Sequence, residues 1–185
     1  VANIRALRSL DVDRSTARVL DVGCGAGTSL LTFLRLGFHP RHLAGMDINS
    51  ERLEAGKIAL PSVDFRCESA EAMSFRSESF DIVFESTMFV QITDERVASA
   101  IANEMLRVAK RGGYLTIVDW RYSKPGSSEY LGVSRSRIAR LFKVGTDSEV
   151  VSKSNGALVP PVGRWISRYC PSLYFPVQRL LPFAV

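Results

Sequence analysis

At 185 residues, 46% of them apolar, the chain is sized to bury a core and reads as a single domain over 1–185. It has no apolar run of about 18 residues to cross a membrane, and its start, VANIRALRSLD, has neither the apolar stretch nor the cleavage pattern of a secretory signal, so a cytoplasmic protein is expected. Cys24, Cys67 and Cys170 form no CxxC or Cys/His cluster, which argues against a disulfide framework or a metal site, and the net charge of +5 sits largely in a tail from Val151 on that carries Lys153, Arg164, Arg168 and Arg179 and no acid.

Residues 1–17 place Ile4, Leu7 and Leu10 at helical spacing and read as a lead-in helix covering the sheet edge or the substrate site. The stretch VLDVGCGAGTSLL, residues 19–31, then gives a strand (Val19, Leu20, Val22), a tight turn (Gly23, Gly25, Gly27) and a helix. That helix has Leu30, Leu31, Phe33 and Leu34 on its apolar face and ends at Gly37. After His39, Pro40, Arg41 and His42, LAGMDIN is a second buried strand ending at Asp47. Asn49 or Ser50 caps the next helix, which has Glu51 in its first turn and Leu53 and Ile58 among its apolar positions, and Pro61 stops it.

Strands follow at Val63 to Cys67 and at Phe80 to Ser86, separated by a polar loop. Thr93 or Asp94 opens an amphipathic helix in which Val97, Ile101, Met105 and Val108 recur, ending in Lys110 and Arg111. Gly112 and Gly113 turn the chain into the strand YLTIVDW. Ser134 caps a helix bearing Ile138, Leu141 and Phe142, and Glu149 to Ser152 reads as a further strand. This βαβ alternation requires parallel strands with right-handed crossovers. The fold class is therefore α/β, a doubly wound, mostly parallel Rossmann-like sheet with helices on both faces. The core covers 18–155, and 156–185 form an apolar, basic extension or lid.

In an open parallel sheet the ligand sits beyond the carboxyl ends of the strands. Here those ends present Asp21 with the glycine loop, Asp47, Ser69 to Glu71, Glu85 to Thr87, and Asp119 to Tyr122. Asp47, 20 residues past Gly27, is placed to accept hydrogen bonds from the vicinal hydroxyls of a ribose, which implies a nucleoside ligand. The loop is GxGxG rather than GxGxxG, with Thr28 where a dinucleotide fingerprint has its third glycine. An anionic Asp21 beside it suits an ammonium or sulfonium and repels a pyrophosphate.

From about Val19 to about Trp120 the sequence resembles the class I methyltransferases that use S-adenosylmethionine. VLDVGCGAG is similar to that family's first motif and GMDINSERLEAGK to its second; ESAEAMSFRSESFDIVFES resembles the third and fourth, and LRVAKRGGYLTIVDW the segment after them. The resemblance implies that Gly23, Cys24, Gly25, Ala26 and Gly27, with Asp21, line the methionine and sugar. It places Asp47 on the ribose, Ile48 on the adenine with Asn49 beside it, Ser69, Ala70 and Glu71 at the adenine edge, and Glu85 and Ser86 at the methionine end.

Many members have Asp where this chain has Ser69, and a hydroxyl or a backbone carbonyl then has to take the adenine amino group. The family sheet ends in an antiparallel hairpin, of which only a first strand near Val150 is evident, so the last strand lies beyond Val185 or is replaced. The chain starts without Met and reads as a fragment of a longer protein. The tail segment GALVPPVGR resembles bacterial methyltransferases associated with surface polysaccharides.

The expected function is methyl transfer from S-adenosylmethionine to an oxygen or nitrogen of a small molecule or sugar, leaving S-adenosylhomocysteine. Glu85 and Asp119 are the candidate bases, needed only for a hydroxyl acceptor; the plainer reading of each is a strand-end carboxylate that caps neighbouring backbone. His39 and His42 lie at the wrong end of the sheet. FESTMF stands where amino-group nucleic-acid methyltransferases carry N/D-P-P-Y/F, so no nucleic-acid partner is expected. The tail reads as an acceptor-site lid or a patch for peripheral contact with the inner membrane face. Oligomeric state stays open, as do two alternatives: an NAD(P)-dependent oxidoreductase, against which the glycine spacing speaks, and a non-catalytic cofactor-binding protein.

Overall fold

The computed structural model describes residues 4, 7–121, 123, 126, 128–150, 168, 169 and 172. Five strands, β1 (Val19–Val22), β2 (Leu43–Asp47), β3 (Asp64–Cys67), β4 (Phe80–Ser86) and β5 (Ala109–Val118), form one sheet in the order β3-β2-β1-β4-β5. Every neighbouring pair is parallel. The helices are α1 (Thr28–Arg35), α2 (Ser50–Ala59), α3 (Glu95–Val108) and α4 (Arg135–Leu141). The chain winds outward from β1 through β2 to β3, then returns to the other side of β1 for β4 and β5. The doubly wound α/β fold expected from the sequence is the one formed, and its switch point lies between β1 and β4.

Alternation along β1 and β4 sends side chains to two cores. Leu20, Val22 and Val83 pack with Ala98, Ile101 and Met105 of α3 and Leu141 of α4, while Val19, Ile82 and Phe84 pack with Leu30 and Phe33 of α1. Leu7 is buried in the second cluster, so the lead-in residues cover a sheet face beside α1. Each such apolar side chain, fully buried, contributes about 1.5–3 kcal/mol.

Local chemistry sets the element ends. Phe38 N–H donates to Phe33 O and Gly37 N–H to Leu34 O, a Schellman closure of α1 in which Gly37 takes φ 93° and the Phe33 and Phe38 rings meet edge to face at 5.3 Å. Asn49, Asp94 and Ser134 cap α2, α3 and α4, each side chain accepting a backbone N–H of the first turn.

Four expectations need correction. Leu31, read on the apolar face of α1, is 39% exposed, and Leu30 and Phe33 carry the buried contacts of that helix. Helix α3 ends at Val108, not at Lys110 and Arg111. Ala109 is already extended, and β5 bulges between Ala109 and Tyr114 while β4 advances only from Phe80 to Ile82. The bulge holds because Lys110 pairs with Asp81 and Arg111 with Glu78, and because Gly113 lies where a Cβ would come within 2.9 Å of Lys110 O. Ile58 is 82% exposed; Leu53 and Gly56 carry the buried face of α2 instead. Glu149 and Val150 are exposed and not in a strand, and Val151 and Ser152 lie outside the described residues. Among the described residues β5 is an edge. A cavity of about 1510 Å³ runs beside it, lined by Leu106, Leu115, Ile117, Ile138, Phe142 and Val150.

Candidate cofactor and active site

The glycine loop leaves β1 at the switch point. Gly23 and Cys24 both donate their N–H to Met46 O at 2.9 Å, which folds the loop onto the end of β2. Gly23 and Gly27 have φ of 71° and 76°, a region that costs an L residue about 1–2 kcal/mol. Space is short as well: a Cβ on Gly27 would come within 3.0 Å of the Phe65 ring, and one on Gly23 within 3.0 Å of Met88 Sδ. Cys24 is a packing residue under the loop, its Sγ 2.7 Å from where a Cβ on Gly45 would stand. Burial, with Asp21 and Asp47 nearby, pushes its thiol far above the usual range, so it stays neutral. Gly25 is half-buried and Ala26 exposed, at the open side of the turn.

Asp47 closes the loop from the other side. Its Oδ2 accepts Gly25 N–H at 2.8 Å and its Oδ1 accepts Asn49 N–H at 2.9 Å. Each carboxylate oxygen keeps lone-pair capacity for a ribose hydroxyl. Asn49 spends its side-chain oxygen on the α2 cap, accepting Arg52 N–H at 2.9 Å, and so serves the fold. Ile48 is 77% exposed directly beside Asp47, an apolar side chain at the rim of the loop. Since Asp47 pairs with Cys67 across β2 and β3, the 68–71 loop lies alongside. There Ser69 is exposed with its Oγ accepting Glu71 N–H at 3.2 Å, Ala70 is half-buried, and Glu71 is exposed.

On the β4 and β5 side stand three buried carboxylates, Asp21, Glu85 and Asp119, each 2% exposed or less. Asp119 is fully engaged: its Oδ2 accepts Val90 N–H at 2.8 Å and its Oδ1 accepts Trp120 N–H at 2.7 Å. Burial raises it to about 6, and those two backbone bonds restrain the rise. Glu85 accepts Met88 N–H on Oε2 at 3.1 Å, while its Oε1 has no hydrogen-bond partner among the described residues. The Oδ2 of Asp21 is buried and unpartnered too. Burial raises both well above the carboxylate range, with Asp47 adding to the effect on Asp21, and Asp119 and Asp21 to that on Glu85. Ser86 is half-buried, and Thr87, a non-glycine residue at φ 61°, turns the chain away from β4.

The structure thus gathers the expected residues at one end of the sheet in two groups, Asp47, Ile48 and Ser69 to Glu71 on one side of the glycine loop and Asp21, Glu85, Ser86 and Asp119 on the other. His39 and His42 lie before β2, at the opposite end. Three contributors were missed. Phe65 fills the floor under Gly27, Gly45 and Gly56, and Met88 covers Gly23. Arg137, 3% exposed, donates to Glu95 and to the carbonyls of Phe89, Leu131 and Ile92, tying the segment after β4 to α4. A signal for Arg137 was present: it shares a helix face with Leu141, where a guanidinium has to find buried partners. Among the described residues no group of three His, Cys, Asp or Glu side chains is arranged to hold a metal ion, and no helix is long and apolar enough to cross a membrane.

The lid and membrane-contact expectations for 156–185, and the polysaccharide-associated resemblance, fall almost wholly outside the described residues. Comparison with known proteins bears on the rest. A methyltransferase-domain family model matches residues 19–113. The chain is 31% identical to a phthiotriol/phenolphthiotriol dimycocerosates methyltransferase of Mycobacterium ulcerans, over 76% of this chain and 51% of that protein. It is 34% identical to the demethylmenaquinone methyltransferase of Renibacterium salmoninarum, over 64% and 49%. It therefore spans about half the length of the curated relatives it matches. The solved structure of a SAM-dependent methyltransferase from Methanosarcina mazei superposes with a TM-score of 0.59 at 23% identity, covering 71% of this chain and 79% of that one, a likeness of fold. The match leaves the nicotinamide alternative without support. With a GxGxG loop folded over β2, Asp47 bound to that loop, and the family model matched from β1 into β5, the chain belongs to the class I, S-adenosylmethionine-dependent methyltransferase family.

Proposed function

We propose that this protein transfers a methyl group from S-adenosylmethionine to an oxygen or nitrogen of a small-molecule acceptor. The observation that carries the reading is the join of Asp47 to Gly25, which sets a ribose-accepting carboxylate, the exposed Ile48 and a glycine turn lacking side chains around one nucleoside-sized position. Bound there, S-adenosylmethionine supplies a methyl already activated by its sulfonium. The chain's own task is then to hold donor and acceptor in line and to exclude water. Asp47 orients the ribose, Ile48 and Ala70 bracket the adenine, and Ser69 or nearby backbone meets its amino group.

For a hydroxyl acceptor, Glu85 is the better base of the two carboxylates, because it keeps an oxygen that no N–H occupies, whereas both oxygens of Asp119 are taken. The relatives' names refer to a phthiotriol lipid and a menaquinone precursor. They favour a lipophilic small molecule over a saccharide.

Titration calorimetry with S-adenosylhomocysteine tests the cofactor. Binding by the intact chain, weakened at least tenfold by Asp47→Ala, is expected; no binding, or an unaffected variant, would refute the reading. Methyl-labelled S-adenosylmethionine offered with hydroquinones, hydroxylated lipids and sugars tests the acceptor, and cofactor binding without transfer to any of them would favour the non-catalytic alternative.

A further inference from the structure

The connection from β3 to β4, residues 68–79, crosses from the sheet edge to the far side of β1 without forming a helix, so its backbone has to find partners outside itself. Helix α3 supplies them. Glu104 Oε2 accepts Met73 N–H at 2.7 Å, and Arg107 donates from Nη2 to Met73 O and from Nη1 to Phe75 O, both at 2.9 Å. Arg107 also donates to both oxygens of Glu104, at 2.6 and 2.7 Å, which fixes the two side chains on each other and holds the Glu104 carboxyl below its ordinary range. Apart from these mutual bonds, every side-chain hydrogen bond of the pair among the described residues goes to 73–77.

That anchor reaches the rim of the nucleoside position through the bonds of the loop itself. Glu68 accepts Ser74 N–H on its carboxylate at 3.3 Å, Ser69 O accepts Ala72 N–H at 3.2 Å, and Ser69 Oγ accepts Glu71 N–H, so 68–74 is one closed turn with Met73 next to its closing bond. At its start Glu68 N–H donates to Asp47 O at 3.2 Å, which sets the turn beside the ribose-accepting acid. Met73 is 6% exposed and packs in the core under α3, so the turn is hung between Asp47 at one end and Glu104 at the other. We propose that Glu104, fixed by Arg107, is a positioning residue for the cofactor's base: by holding Met73 it sets the turn that presents Ser69, Ala70 and Glu71 to the adenine edge. The proposal rests on the methyltransferase reading. A turn released from Met73 keeps its internal bonds and loses its place, and a turn in place only about a tenth of the time binds its ligand about tenfold more weakly.

The test is calorimetry of the full chain with S-adenosylhomocysteine and with S-inosylhomocysteine, whose base has an oxygen in place of the adenine amino group. Urea curves for each variant set conditions under which it is folded. The unsubstituted protein should prefer the adenine ligand by about fivefold or more. Glu104→Ala should weaken that ligand about tenfold and the inosine analogue by less than about threefold, so that most of the preference disappears. Glu104→Gln, which keeps an oxygen for Met73 N–H, should recover most of the loss. Should Glu104→Ala not fold, Arg107→Lys reads the same effect, because a single ammonium cannot replace the guanidinium fork on Met73 O and Phe75 O. A residue that serves only the fold would leave the base preference as it was. Unchanged binding in Glu104→Ala, equal losses for the two ligands, Gln no better than Ala, or no base preference in the unsubstituted protein would each overturn the proposal and leave the methyltransferase reading intact. Absence of S-adenosylhomocysteine binding in the unsubstituted protein would instead overturn that reading.

Discussion

Arg137 offers the sharpest test of how the segment after β4 is held. Its side chain is 4% exposed, and replacing it with Met keeps most of the apolar stem while deleting four hydrogen bonds. Glu95, at 41% exposed, recovers its hydration, so the ion pair itself contributes little. The carbonyls are a different matter. Phe89 O keeps a bond from Ile92 N–H at 3.1 Å, but Leu131 O and Ile92 O, both partly buried, lose the donor that Arg137 supplies, and an orphaned buried acceptor costs about 1–3 kcal/mol. Allowing these two carbonyls some water, Arg137→Met should cost about 2–4 kcal/mol, a large share of the roughly 5–15 kcal/mol that holds a domain. With a urea slope of about 2 kcal/mol/M, the midpoint falls by about 1–2 M. Trp120, half-buried at the end of β5, reports the transition by fluorescence, and hydrogen exchange should quicken at Val90 and Leu131, whose N–H groups bond to Asp119 and Val90. A loss below about 1 kcal/mol with an unchanged slope would refute the clamp.

Gly27→Ala should lose about 1–2 kcal/mol from its positive φ and also weaken S-adenosylhomocysteine binding, because its Cβ meets Phe65 at 3.0 Å; calorimetry and urea unfolding read the two effects separately. Gly45→Ala should cost about 1–3 kcal/mol, and adding Cys24→Ala should return part of it, since Sγ is the nearest atom to the new methyl at 2.7 Å; a strictly additive double variant would count against that contact. The pH dependence follows from sign. Asp21, Glu85 and Asp119 have folded pKa values above their unfolded ones, so they hold more protons in the native state and their contribution to stability falls as pH rises from about 4, through about 6 for Asp119, while Asp81, Glu95 and Glu104, whose values are lowered, act in the opposite sense. Asp21→Asn with Glu85→Gln should flatten that fall and raise the urea midpoint at pH 7, while equal pH profiles for variant and parent would contradict the assignment.

The fold and half of the site were legible because they rest on local rules. Strand, glycine turn and helix at 19–35, the Gly37 stop, the caps at Asn49, Asp94 and Ser134, and Asp47 in phase with the loop each follow from a few adjacent residues. What escaped depends on contacts between distant ones. The end of α3 is set by Lys110 meeting Asp81 across the sheet, which overrides the favourable placing of cations in a last helical turn. Ile58 belongs to a short helix whose contact face is narrow, so Leu53 and Gly56 suffice against the sheet edge. Phe65, Met88 and Arg137 act through partners on other elements, and their sequence neighbours give only a faint hint of it.

Asp119 and Glu85 look alike as strand-end acids after apolar strands, yet their surroundings separate them. Asp119 has both oxygens saturated by backbone N–H groups of segments it must hold together, and a carboxylate so placed stabilises structure as long as the bonds persist. Glu85 and Asp21 each keep an oxygen that the described residues do not satisfy, a cost to stability that ionisation increases and that a neutral Gln or Asn would reduce but not remove. A core packed for stability alone has no reason to retain such groups beside a loop already tight enough to exclude a Cβ. They stand between the turn that Asp47 grips and the segment that Arg137 clamps, and a hydrogen-bond donor brought to either oxygen would relieve that cost.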